Sequence, residues 1–378
     1  MNGYLVNPPD LRSGPPWRLV IDINEACNIQ CSYCHIDALY GSRAKNSRIL
    51  NPATVRQTIH DADEMKVFDI TITGGEPMVA PTFGDLISVF RDTTFSSTQV
   101  ITNGTMLSKP MATRLAESGL TRISISIDSR GQGHDLARGK GTLQRAWRGL
   151  ENALEAGLMV NVISVIGMHN IDEWDQLPTV LRAMGVRSHN ASLMCRLGRA
   201  EKSDIWMGVP QSRVSEVQQA ASTLENDLNC AEFFFHLNDG VARPPGWSGK
   251  PTPLHAFQDR NPGIEIVADV AGSLLRNRIY GKDRRLGNLE DDRLADIWRN
   301  DAYNREQIEN IVGVDSIGRL ADKYYHYSSF DASDSPPIKV EDPIDSHRFR
   351  TRYESWGEAV FDTETFAIVK LSGNAQHD

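Results

Sequence analysis

No stretch of the 378-residue chain approaches the roughly 18 consecutive apolar residues that a bilayer-spanning helix needs, and residues 1–22 lack a positive segment followed by an apolar run. Neither a membrane partner nor a secretory signal is expected, and the location implied is cytoplasmic. Positive charge is also scarce: 40 Lys and Arg stand against 49 Asp and Glu, a net charge of -9. A surface that tracks phosphates wants the opposite balance, so nucleic acid is not an expected partner. With 40% hydrophobic residues against 24% charged, the composition excludes a disordered chain and allows one large domain plus a smaller one, each burying its own core. Cysteine is scarce as well, with five in the chain. Three of them crowd at Cys27, Cys31 and Cys34, which is no disulfide framework of a small secreted domain. Crowding of this kind points to metal.

Between residues 18 and 194, short β-rich runs alternate with helical periods, the pattern of parallel strands joined by crossover helices. Strands are expected at 19–23, 68–73, 99–102, 121–127, 160–166 and 189–194. Asn51 and Pro52 supply an N-cap and a first-turn proline to one intervening helix, and Ser108 and Pro110 open another. Leu143, Ala146, Trp147, Leu150, Ala153 and Leu154 keep a helical period up to Gly157, as Ile171, Trp174, Leu177, Leu181 and Met184 do up to Gly185. Six strands predict an α/β fold, a partial (β/α)6 TIM-like barrel. After Gly198 the pattern changes to a helix near 210–228, a β-rich run at 233–237 and a Pro- and Gly-rich loop at 240–262, the expected domain boundary. A hairpin follows over 264–267 and 273–275, turned at Gly272, then a helix near 294–298. The division is an N-terminal arm (1–17), a barrel domain (18–239), a small α+β extension (240–300) and a tail (301–378). In the tail, Tyr324, Tyr325, His326 and Tyr327 either line a substrate pocket or pack as core or subunit contact.

Cys27, Cys31 and Cys34 follow the first expected strand at CxxxCxxC spacing. Three thiolates so placed hold three irons of a cubane and leave the fourth open; the alternative is a structural zinc site completed by His35. Structural zinc usually takes paired ligands separated by a longer span, whereas a compact loop at the C-terminal mouth of a barrel strand is where active sites sit. The run Cys27-Asn28-Ile29-Gln30-Cys31-Ser32-Tyr33-Cys34 resembles the motif of the radical S-adenosylmethionine (SAM) superfamily, CxxxCxφC with an aromatic residue at φ, here Tyr33. The resemblance implies one 4Fe-4S cluster and SAM as cofactors. SAM's amino and carboxylate groups chelate the open iron, and one electron cleaves the sulfonium to methionine and a 5′-deoxyadenosyl radical. An external reductant such as flavodoxin or ferredoxin supplies that electron.

Thr73-Gly74-Gly75-Glu76-Pro77, after the second strand, is similar to the family's GGEP segment. Gly74 and Gly75 let the backbone approach a ligand, and Glu76, fixed ahead of Pro77, offers its carboxylate to the SAM ammonium. Without the cluster motif, these residues would be an ordinary turn. Ser124, Ser126 and Asp128 share one strand face. The resemblance gives Ser126 and Asp128 to hydroxyls of SAM or substrate, against the alternative of a satisfied internal network. Arg138 stands where many relatives carry an arginine for the methionine carboxylate, or is a solvated loop residue. Asn103, in Thr102-Asn103-Gly104, matches the family's TNG turn, which is also a common structural turn. Val165, followed by Ile166 and Gly167, offers apolar contact to the adenine, and Asn170 agrees with a common asparagine of relatives.

Residues 264–273, Leu286-Gly287-Asn288-Leu289 and 294–298, with Gly198-Arg199-Ala200 upstream, resemble the SPASM or twitch extension of radical SAM enzymes. Such extensions carry auxiliary-cluster cysteines, whereas no cysteine follows Cys230 here and Arg276 and Arg278 stand where one is wanted. One cluster is expected, and chemistry that needs no second electron acceptor, such as an epimerisation. Cys195, ending the sixth strand, is the candidate catalytic residue, a thiol that donates hydrogen to a substrate radical, or else a small buried apolar residue. The expected function is hydrogen abstraction from a natural-product intermediate, either a sugar-containing small molecule or a ribosomal peptide. With the first cluster cysteine at residue 27 there is no room for a preceding leader-binding domain, which favours a small substrate. The alternatives are a peptide maturase forming a carbon-carbon or thioether crosslink, and a catalytically inert SAM- and cluster-binding assembly protein. The intact triplet and Gly74–Pro77 argue against the inert protein.

Overall fold

The structure, a computed structural model, describes residues 16, 18–95, 97–203, 207–230, 233–238, 265–275 and 285–300, and the backbone of 339–343, 348–353, 357–362 and 367–372. The loop at 240–262, Arg276, Arg278 and the Tyr324–Tyr327 cluster lie outside the described residues. Each of the six expected strands is present within two residues of its expected bounds: β1 (Arg18–Asp22), β2 (Asp69–Thr73), β3 (Ser97–Thr102), β4 (Arg122–Ser126), β5 (Met159–Ile166) and β6 (Ser188–Leu193). Neighbours pair in parallel from β1 to β6. Their β-branched runs are buried on both faces, as parallel strands covered by helices must be.

The connecting helices start where the caps require. In α1 (Pro52–Glu64) the Asn51 side chain accepts from Ala53 N, and Val55, Ile59 and Ala62 turn to the sheet. Two short helices, α2 (Phe83–Ile87) and α4 (Gln132–Arg138), carry no long period and escape a periodicity reading. Between them, α3 (Lys109–Glu117) is capped by Ser108, and α5 (Thr142–Glu155) keeps the expected stripe. The stripe from Ile171 breaks into a 3-10 turn, and α6 (Leu177–Ala183) begins only at Leu177, with Pro178 in its first turn. Leu19, Ile21, Ile70, Ile72, Ile123, Ile125 and Val162 have no exposed surface at the centre of the core; each such side chain contributes about 1.5–3 kcal/mol.

The sheet continues beyond the six expected strands. After α7 (Gln211–Leu228), β7 (Phe234–Asn238) adds in parallel to β6. At the opposite edge β8 (Glu265–Ala268) adds in parallel to β1, followed by antiparallel β9 (Ser273–Leu275) and β10 (Arg285–Asn288). All belong to one ten-stranded sheet of order β10-β9-β8-β1-β2-β3-β4-β5-β6-β7. Within the expected extension, β8 adds to the barrel's sheet because β1 has a second edge to satisfy, and the buried Ile266, Val267 and Ala268 suit it. Arg18 ties the junction, its Nε 2.9 Å from Asp69 Oδ2 and its Nη1 3.4 Å from Glu265 Oε2. The buried Asp61 of α1 accepts Leu294 N at 3.1 Å, anchoring the start of α8 (Leu294–Asn300). In the tail, β11 (Lys339–Pro343), β12 (Arg348–Tyr353), β13 (Gly357–Asp362) and β14 (Ala367–Ser372) form an antiparallel sheet in chain order. Among the described residues no helix is long and apolar enough to cross a membrane.

Candidate active site

The loop after β1 is held by its own return. Ala26 bridges Leu39 and Asn24 bridges Ile49, so residues 27–38 form a closed excursion carrying Cys27, Cys31 and Cys34, all half-buried. Burial pushes the Cys27 thiol up to about 12 and the Cys31 thiol up to about 11. Thiols in such surroundings stay protonated unless a metal takes the proton's place. Among the described residues no three His, Cys, Asp or Glu side chains converge as a single metal ion demands. His35, the fourth ligand of the zinc alternative, is exposed. A cubane binds one thiolate per iron and needs no such convergence, so the soft donor set fits an iron-sulfur cluster.

The two glycines after β2 allow a close approach of backbone to backbone. A Cβ on Gly75 would lie 2.1 Å from Ala26 O, and Gly74, at φ +139°, would place one 2.5 Å from Asn24 O. They let the loop press against the backbone that leads to Cys27, with Gly75 N bonded to Asn24 O and Glu76 N to Ala26 O, each at 2.8 Å. Pro77 is buried in the first turn of a 3-10 helix capped by Glu76. The Glu76 carboxylate is fully enclosed rather than open to the mouth. It accepts from Thr102 Oγ1 at 2.7 Å, Asn103 N at 2.8 Å and Met78 N at 3.3 Å, and among the described residues no cationic side chain pairs with it. Burial, only partly offset by these donors, pushes it up to about 7.

Asn103 joins this pair of loops to the cluster loop. Its Nδ2 donates to Asn28 Oδ1 at 2.8 Å and lies 3.7 Å from Cys27 Sγ, and Asn28 Nδ2 reaches Thr105 Oγ1 at 2.8 Å. Asn28, inside the CxxxC spacing, is a contact that motif reading passes over.

Asp128, after β4, brings two expected site residues together. It has no exposed surface, and its carboxylate accepts Arg138 Nε and Nη2, each at 2.9 Å, Val165 N at 3.0 Å and the Tyr33 hydroxyl. Burial opposes its ionisation, yet the Arg138 guanidinium holds it well below the usual carboxylate range. Asp128 is thus the centre of an internal network, and Arg138 is a buried partner of Asp128 rather than a solvated loop residue. Arg138 also stacks over the Tyr33 ring at 5.3 Å, and the His169 ring stacks with the same Tyr33 ring at 5.6 Å between centroids. Of the strand-face row, Ser124 is taken by Gln99 Nε2 at 2.7 Å, while Ser126 and Val165 stay half-buried at the mouth. Asn170 fixes the end of β5, donating to Asp128 O at 2.8 Å and Val165 O at 3.0 Å. Glu173 accepts Ser129 Oγ and Gly133 N, each at 2.8 Å, and so steadies the start of the helix that carries Arg138. His169 and Glu173 belong to no motif, and only the fold reveals them.

Cys195 follows β6, exposed, with Sγ 3.6 Å from Leu193 O, and burial of the thiol itself raises its pKa. The cluster loop, Glu76, Asn103, Asp128, Val165 and Cys195 therefore all lie at the C-terminal ends of successive parallel strands, the catalytic face of such a sheet.

A sequence profile of the radical SAM superfamily matches residues 21–182. Mycofactocin maturase MftC of Mycobacterium ulcerans is 30% identical over 292 residues, covering 75% of this chain and 75% of that protein. MftC of Mycobacterium tuberculosis is 28% identical over 298 residues, covering 77% of this chain and 72% of its own length. The crystal structure of Streptococcus suis SuiB bound to precursor peptide SuiA shares the fold, with a TM-score of 0.62 over 80% of this chain and 68% of that one, at 14% identity. The cysteine loop at the mouth and similarity spread over three quarters of the chain lead to one conclusion: the chain belongs to the radical SAM superfamily and is an enzyme whose cofactors are a 4Fe-4S cluster and SAM.

Proposed function

We propose that this enzyme abstracts a hydrogen atom from a peptide precursor of a natural product and that Cys195 returns one, leaving the substrate's oxidation state unchanged. The observation that carries the reading is the alignment of the cluster loop, the Asp128 network and Cys195 along one row of strand ends. Cys27, Cys31 and Cys34 are the cluster ligands. When bound there, the cluster and SAM supply a 5′-deoxyadenosyl radical.

The chain's own residues do the rest. Asn28, Asn103 and the Gly74–Pro77 loop hold the shape of the cysteine loop, and Asp128 with Arg138 and Tyr33 fixes the wall beside it. A thiol kept protonated by burial is a hydrogen-atom source. Cys195 S–H breaks as the substrate C–H forms, and the resulting thiyl takes one electron from an external reductant such as flavodoxin or ferredoxin and a proton from solvent. Only two cysteines lie outside the triplet, too few to ligate an auxiliary four-cysteine cluster that would accept a substrate electron. The similarity to mycofactocin maturases supports a peptide substrate over a sugar-containing one.

The test incubates anaerobically reconstituted enzyme with SAM, reductant and a candidate precursor peptide in deuterated buffer. The expected product carries one solvent deuterium at the reacting carbon, and Cys195→Ala forms 5′-deoxyadenosine without that product. A peptide that has lost two hydrogens marks crosslinking instead, and normal labelling in the variant removes Cys195 from the mechanism.

A further inference from the structure

Arg199 reaches the cluster loop from 161 or more positions away in the chain. Its Nη1 donates to Cys31 O at 2.5 Å, its Nη2 to Ala38 O at 2.5 Å, its Nε to Asp37 Oδ1 at 3.0 Å, and its backbone N to Cys34 O at 2.9 Å. The residue before it is Gly198, at φ +56°, where a Cβ would lie 2.2 Å from His35 O and 2.5 Å from Cys34 O. The segment after β6 therefore lies directly on the ligand loop, with a guanidinium that spans it from Cys31 to Ala38. Asp37 is braced from the other side by Lys202 Nζ at 2.6 Å. A planar fork that serves two carbonyls and a carboxylate at once is geometry only arginine supplies.

We infer that Arg199 is a positioning residue for the cluster: it clamps the loop that carries Cys31 and Cys34 and holds a fixed positive charge beside it, setting both the cluster's retention and its reduction potential, with Asp37 as the opposing charge. This rests on the assignment of Cys27, Cys31 and Cys34 as ligands. Charge and hydrogen bonding around a cluster are what tune its potential, and partners one shell out commonly govern how firmly a metal group is held.

The test uses full-length, anaerobically reconstituted protein and reads the cluster, not turnover. Redox titration followed by electron paramagnetic resonance gives the midpoint potential, and a competing chelator gives the rate of cluster loss. Arg199→Gln is expected to move the potential to more negative values and Asp37→Asn to move it to more positive ones, because they delete charges of opposite sign. Both are expected to lose the cluster to chelator about tenfold faster. Arg199→Lys restores the potential but not the retention, since an ammonium does not span both carbonyls. A merely structural role would not shift the potential in opposite directions. Potentials unchanged in both variants, or displaced in the same direction, overturn the inference. If Arg199→Gln folds by circular dichroism but takes up no cluster, the clamp is supported and Asp37→Asn carries the charge test. Retention of the cluster in Cys31→Ala would instead defeat the ligand assignment.

Discussion

Glu76→Gln is expected to stabilise the protein without SAM and weaken its hold on SAM. The wild-type carboxylate is fully buried among neutral donors, and its pKa is raised from 4.5 to about 7. A carboxyl raised in the folded state makes the fold lose stability as pH climbs from the unfolded value through the folded one, because ionisation is easier in the unfolded chain. The shift corresponds to about 3 kcal/mol once pH is well above 7, at roughly 1.4 kcal/mol per pH unit. Glutamine has nearly the same shape. Its carbonyl accepts from Asn103 N and its amide donates to Thr102 Oγ1, so only the 3.3 Å contact from Met78 N is lost. Denaturation of the cluster-free protein should therefore show the two indistinguishable near pH 4 and the variant increasingly more stable as pH rises through about 7. A buried charge without a cation is a cost that a cationic ligand relieves. SAM binding to the reconstituted wild type should tighten as pH rises through about 7, and the variant should lose about 10- to 100-fold in affinity with no such pH dependence, as expected for a charge-assisted contact worth about 1.5–3 kcal/mol. A variant no more stable than wild type at pH 8 refutes the buried-charge argument, and unchanged SAM affinity removes Glu76 from the cofactor site.

Cys31→Ala should abolish cluster absorbance and 5′-deoxyadenosine formation, and wild-type protein should analyse for about four irons and four sulfides; a reproducible value near eight contradicts the single cluster. Asp128→Asn leaves the Arg138 guanidinium buried beside a neutral amide and should cost about 3 kcal/mol or more in urea denaturation, with Arg138→Met in the same chain recovering part of it. Equal stability of the single variant would mean that the pair is not buried in solution. Gly198→Ala puts a methyl against His35 O at positive φ and should cost at least about 1–2 kcal/mol of stability. It should also speed chelator-driven cluster loss, and wild-type behaviour on both counts would show that the segment does not press on the loop.

Spacing along the chain was enough to determine the strands through β6 and the family and to single out the cysteine loop, because three thiols on one short loop and a β-rich run every few dozen residues are local properties. Helix starts at Asn51 and Ser108 were legible for the same reason, since a cap acts on the next two or three residues. The tertiary structure alone decided what each polar group touches. Asp128 and Arg138 are ten positions apart and read separately as ligand contacts, yet mutual burial pairs them. Gly74 and Gly75 admit the backbone of Asn24 and Ala26, a contact that their place in the sequence does not show. Arg199 meets Cys31, and Glu265–Ala268 closes on β1, across separations of chain that carry no periodic trace. A motif records which residues chemistry needs. Desolvation, which depends on everything packed around a charge, settles which of them turn inward to one another and which remain at the mouth.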